Sequence, residues 1–177
     1  MKIFVILSIS LLSLTLAITQ QNEIYPVTQK TKELLFYIQR NHNSNTIVYN
    51  ANFDTVGNLI DHKPIDVFWI RYDEQGQRME LRTIEKMFAY GVECKKIKNK
   101  ENQYKVKLVA KKDKEIILIQ HDKFKATVYT MINNKLSSLN HLYIQADNSG
   151  MWPSVKYIEL FGIDTKTKEN TYEKIMN

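Results

Sequence analysis

The chain has 177 residues, a formal net charge of +6, five glycines and one cysteine. A single cysteine excludes an internal disulfide, and so few glycines leave little material for a phosphate-cradling loop. The fold must therefore stand on its own core, and about 160 residues, the length left once an N-terminal leader is set aside, suffice for one domain burying around 70% of its extended-chain surface.

That leader comes first. Lys2 precedes an apolar run from Ile3 to Leu16, interrupted only by Ser8, Ser10, Ser13 and Thr15, and Thr15 and Ala17 have the spacing of a small-x-small cleavage site. The pattern predicts a secretory signal peptide over residues 1–17, its apolar core falling short of the roughly 20 residues of a membrane span. The alternative, an uncleaved anchor, lacks a stop-transfer cluster, since Ile18 to Gln21 turns polar. Cys94 lies far from the run, so no lipid acceptor follows it. The expectation is an exported, soluble protein, periplasmic or extracellular, with no transmembrane segment after cleavage and no lipoprotein anchor.

Residues 18–33, with Pro26, read as an extended lead-in. Leu34 to Arg40 and Thr46 to Phe53 are strand-like runs joined by Asn41-His42-Asn43-Ser44-Asn45, whose asparagines tolerate left-handed backbone and bond locally. Gly57 to Pro64 reads as a loop. Ile65 to Tyr72 is apolar on both faces and is expected in the centre of the sheet. The spacing of Leu81, Ile84 and Phe88 predicts a helix over Arg78 to Tyr90, laid against the sheet and ended by Gly91. Further strands are predicted at Val92 to Ile97, Tyr104 to Ala110, Glu115 to Gln120, Phe124 to Ile132, Leu139 to Ala146 and Val155 to Ile163, with turns at Lys111 to Lys114 and Asn133-Asn134. The fold class is mainly β (α+β): an antiparallel meander of about nine strands, closed as a barrel or folded as a sandwich, spanning residues 34–165 as one domain, with 166–177 as a C-terminal tail.

The basicity belongs to one region. Lys95 to Lys125 holds eleven lysines against four acids, a local +7, while the rest of the chain beyond the leader is about −2. Tyr104, Val106 and Leu108 alternate there with Lys105 and Lys107, which describes lysine-rich outer faces of strands. The same lysines offer a patch for an anionic envelope component, a lipid or a polysaccharide. Arginine is missing, so specific nucleic-acid phosphate recognition is not expected.

Chemical motifs are sparse. His42, His62, His121 and His141 have no metal-ligand spacing with one another or with Cys94. No nucleophile elbow, P-loop or dinucleotide fingerprint occurs, so neither a cofactor nor a metal is expected, and a hydrolase built on His141 or Cys94 is the least supported reading. Lys95 and Lys96 would lower the Cys94 thiol pKa, whereas half-burial would leave it an inert small hydrophobe.

Alternation places Phe36, Ile38 and Arg40 on one strand face, Val48, Asn50 and Asn52 on another, and Val67, Trp69 and Arg71 on a third. If those faces coincide, Arg40, Asn50, Trp69 and Arg71 converge at one end of an oily interior, the usual description of a ligand site. Against this, Arg40 and Arg71 stand near strand ends, where they can snorkel to water or pair with Glu80 and Glu85. Tyr143, with His141 and Gln145 on its strand face and the Trp152-Pro153 loop nearby, extends the candidate rim or plugs a barrel end.

The blocks Leu35-Phe-Tyr-Ile-Gln-Arg-Asn, Thr46-Ile-Val-Tyr-Asn-Ala-Asn, Pro64-Ile-Asp-Val-Phe-Trp-Ile-Arg-Tyr, Glu80-Leu-Arg-Thr-Ile-Glu-Lys-Met-Phe-Ala-Tyr-Gly and Val155-Lys-Tyr-Ile-Glu-Leu-Phe-Gly resemble a domain-of-unknown-function family of exported proteins from Bacteroidetes-type bacteria. The resemblance implies a bacterial envelope location and transfers no activity or site residue. The residues themselves favour a non-catalytic binding module for a small amphipathic ligand with an anionic or carbonyl end. A surface or partner-binding module using the lysine-rich face is the alternative.

Overall fold

The computed structural model describes residues 28, 30–41, 43–147, 149 and 154–176. The expected signal peptide, most of the lead-in and the Trp152-Pro153 loop lie outside them. Among the described residues eleven strands form one sheet: β1 Leu34–Arg40, β2 Thr46–Ala51, β3 Ile65–Arg71, β4 Gln77–Glu80, β5 Val92–Lys96, β6 Gln103–Leu108, β7 Lys111–Asp122, β8 Lys125–Ile132, β9 Lys135–Asp147, β10 Ser154–Asp164 and β11 Asn170–Met176.

The long strand β9 organises everything else. One of its edges pairs with β10 from Ser137 to Asp147. Its other edge is shared: residues 135–138 pair with β8, and residues 141–144 pair with β1. Two wings therefore leave the same edge at different heights, β1-β2-β3-β4 from one half and β8-β7-β6-β5 from the other. Sheet twist turns the wings so that their apolar faces meet as a half-closed barrel. Phe36, Ile47 and Tyr49 of the first wing and Val106, Leu118 and Val128 of the second all belong to one buried cluster.

The mainly β expectation holds, and the strict meander does not, because β1 runs parallel to β9 and the sheet is mixed. The reason lies in Asn41. Its left-handed backbone (φ 51°) ends β1, its N–H donates to the Ile144 carbonyl at 3.1 Å, and its Oδ1 accepts from the Ala146 N–H at 2.5 Å. An asparagine satisfies both strand ends at once, and so clips the first strand to the C-terminal half of β9.

The helix expected over Arg78 to Tyr90 is a correction. Gln77–Glu80 pairs with β3 as β4, with Arg78 bonded to Asp66 at 2.6 Å and its guanidinium 3.8 Å above the Phe68 ring centre. An open strand edge with a ready cation partner outcompetes local helix propensity. What remains is α1, Thr83–Glu85, running into a π-helical turn, Lys86–Tyr90. Gly91 does end it, but in extended backbone (φ −66°), and its requirement is close approach: a Cβ there would lie 1.9 Å from the Lys86 carbonyl oxygen. Of the expected buried face only Leu81 is in the core, while Ile84 and Phe88 are 63% and 72% exposed.

Two smaller corrections concern the second half. The Lys111 to Lys114 stretch begins β7 after a turn at Val109-Ala110. The stretch read as a C-terminal tail carries β11, paired with β10 over seven residues and anchored by a 2.8 Å bridge from Lys114 to Glu173.

Candidate functional site

At the Asn41 end the wings do not close, and a cleft of about 970 Å³ opens there. Its apolar wall comes from Trp69 on β3, Tyr90 at the end of the π turn, Ile144 and Ala146 on β9 and Val155 on β10. Trp69 and Tyr90 meet edge to face at 5.4 Å. Tyr49 donates its hydroxyl to the Tyr90 carbonyl at 2.8 Å from inside the core, fixing the π turn against the first wing. The opposite end is bridged by side chains. There Gln120 accepts from the Leu59 N–H at 2.9 Å and donates to the Gly57 carbonyl at 2.7 Å, and Tyr104 donates to Asp61, which also binds Lys96.

Polar groups sit at the rim of the cleft. Arg40 ends β1 on the same face as Phe36 and Ile38, and Arg82 precedes α1. Glu85 gathers three donors: the Arg82 guanidinium at 2.8 Å, the Arg82 backbone N–H at 2.8 Å and the Trp69 indole N–H at 3.3 Å. Burial opposes its ionisation, yet these bonds hold the carboxyl below its usual range. Trp69 is thereby oriented, with its ring on the cleft.

The asparagines of the β1–β2 loop do more than turn the chain. Asn43 accepts from the Asn45 N–H at 2.8 Å, and Asn45 donates to Asp73 at 3.0 Å. Together with Asn41 they build the cleft's polar lip. The run of asparagines was visible in the sequence, but only the fold brings it against β9 and the turn after β3.

The predicted site residues divide. Arg40 and Trp69 line the cleft. Arg71 belongs to an adjoining hollow of about 280 Å³, shared with Trp69, Arg82 and Glu85, and its guanidinium is held by Glu74 at 2.8 Å and Asp73 at 3.4 Å. Asn50 does not converge with them. The register sets Phe36 against Tyr49 and Ile38 against Ile47, so Ile47 and Tyr49 face inward and Asn50 lies on the opposite face, across from Asp66. Tyr143 is likewise on the opposite face, fully buried, donating to Gln145 at 2.8 Å. Its strand neighbour His141 stacks between Tyr37 and Phe161 at 4.6 and 4.7 Å, and burial pushes its pKa down to about 4.

Cys94 packs against the core of the second wing, and burial, not the neighbouring lysines, decides its chemistry by raising the thiol to about 11. His141 and Cys94 stand on different faces of the sheet and do not form a catalytic pair. Among the described residues no group of three or more His, Cys, Asp and Glu is placed to hold a metal, and no helix is long and apolar enough to cross a membrane. The lysine-rich region is spread over the β5–β8 wing, with Lys96, Lys105, Lys111 and Lys114 paired to acids.

Fold and site thus define a mostly β protein with an open, apolar-walled cleft and a polar rim. Residues 36–174 match the family described as Domain of unknown function (DUF4833), and the chain belongs to that family. No curated protein and no solved structure matches it.

Proposed function

We propose that the protein is an exported, non-catalytic binding module whose cleft takes a small amphipathic ligand with an anionic or carbonyl end. One observation carries this reading: the large cleft joins an apolar wall of Trp69, Tyr90, Ile144 and Val155 to guanidinium groups of Arg40 and Arg82 at its mouth. Apolar concavities with a few convergent polar groups are the usual form of small-molecule sites. Arg40, which ends β1 on the inward face and lines the cleft, is assigned the ligand's head group, and Trp69 and Tyr90 the tail.

The test is calorimetric titration of the chain lacking residues 1–17 with dodecanoate below its micelle concentration, beside the uncharged methyl ester. A charge-assisted bond of about 1.5–3 kcal/mol predicts that Arg40→Ala weakens dodecanoate binding roughly 10- to 100-fold while circular dichroism shows the variant folded. Arg40→Lys should retain part of the affinity. Absence of binding to the wild-type chain, or equal binding by wild type and a folded Arg40→Ala, overturns the reading.

A further inference from the structure

We infer that the exposed π turn is a docking surface for an anionic lipid bilayer, set where a bilayer-borne ligand would enter the cleft. The docking stands on the turn alone; the entry route rests on the cleft reading above.

Ile84, Met87 and Phe88 are 63%, 59% and 72% exposed, and they fall within five consecutive residues. Single exposed apolar side chains are ordinary on protein surfaces, whereas a cluster of three large ones on one turn marks a contact surface. The display is built into the fold. Leu81 and Tyr90 are buried on either side of the turn, the Tyr49 hydroxyl holds the Tyr90 carbonyl, and Gly91 lets the chain pass under Lys86. The turn cannot roll its apolar side inward without breaking these anchors.

The surroundings of the tip carry four cations against three acids. Arg82 and Lys86 flank it, and Lys111 and Lys112 follow Ala110, which lines the cleft together with Phe88. Glu85, Glu80 and Asp113 pair with Arg82, Lys86 and Lys111, and Lys112 adds a cation with no acid partner among the described residues. An apolar tip beside solvent-exposed surface ion pairs with one cation in excess suits an anionic lipid interface, where side chains enter the acyl boundary and cations meet head groups. Three exposed apolar side chains are few beside the roughly 20–30 residues a side of a standard protein interface. Ile84 and Phe88 line the cleft as well as the tip, so a chain leaving the bilayer between them meets Trp69 and Tyr90 next.

The test is co-sedimentation of the chain lacking residues 1–17 with sucrose-loaded vesicles, of phosphatidylcholine alone or of equal parts phosphatidylcholine and phosphatidylglycerol. Wild type should sediment with the anionic vesicles, less so as salt is raised. Met87→Asp should reduce that partition about tenfold and Met87→Ser by less, both with unchanged melting temperature. Met87 is outside the cleft lining, so dodecanoate titration of both variants should match wild type. Failure of wild type to sediment, or sedimentation unaffected by Met87→Asp, overturns the docking surface. A wild-type dimer in analytical ultracentrifugation that Met87→Asp converts to monomer assigns the tip to a second copy and also overturns it. Vesicle binding without dodecanoate binding removes the cleft reading alone, and the reverse result removes the docking alone.

Discussion

His141 illustrates how environment, not residue type, decides chemistry at the scale of one side chain. It lies flat between two aromatic rings on β9, and burial takes its pKa from 6.5 to about 4. Between those values the unfolded chain binds a proton that the folded chain refuses. Stability is therefore complete above pH 6.5 and declines as pH falls toward 4, a loss on the order of 3 kcal/mol from this group. His141→Phe keeps a flat ring in the stack and removes the titration. Urea midpoints at about pH 7.5 and about pH 4.5 should show the variant losing less stability on acidification than wild type. An equal loss in both would remove His141 from the acid response.

The element that departs most from local propensity is the stretch Gln77 to Tyr90, half strand and half irregular helix. The end of its helical half is tied to the first wing by one buried hydrogen bond, from the Tyr49 hydroxyl to the Tyr90 carbonyl. Tyr49→Phe preserves the 4.3 Å stack on Phe36 and leaves that carbonyl without its buried donor. The expected cost is about 1–3 kcal/mol in chemical denaturation. Hydrogen exchange should localise the effect, with faster exchange through residues 83–91 and little change in β6 and β7. Uniform acceleration across the sheet would show that the contact supports the whole core and not the cleft wall.

For the molecule as a whole, β9 and the ribbon of β10 and β11 form the spine from which both wings spread. Removing residues 166–177 strips β11 from the edge of β10 and breaks the Lys114 to Glu173 bridge and the Thr171 to Ser137 bond of 3.0 Å. An uncovered eleven-residue strand is an aggregation hazard. The truncated chain should be less soluble and melt lower, as read by light scattering during a thermal ramp, and an unchanged melt would return this stretch to the status of a tail. Alternation was a reliable guide here because a half-buried strand must show it: Tyr104, Val106 and Leu108 turn inward and Lys105 and Lys107 outward in β6. Arg40 and Trp69 were legible as cleft-lining residues on the same ground, since parity along β1 and β3 places them with the core. Asn50 was misplaced because parity within each strand leaves open which face meets which. A one-residue difference in the pairing of β1 with β2 moves every side chain to the other side. The order of residues thus determined most strand positions and the alternation of side chains within each strand, because those follow from local periodicity. The parallel seam of β1 on β9, the strand at Gln77–Glu80, the outward turn of Ile84 and Phe88 and the open cleft were decided only in three dimensions, where segments far apart in the chain compete for the same edges.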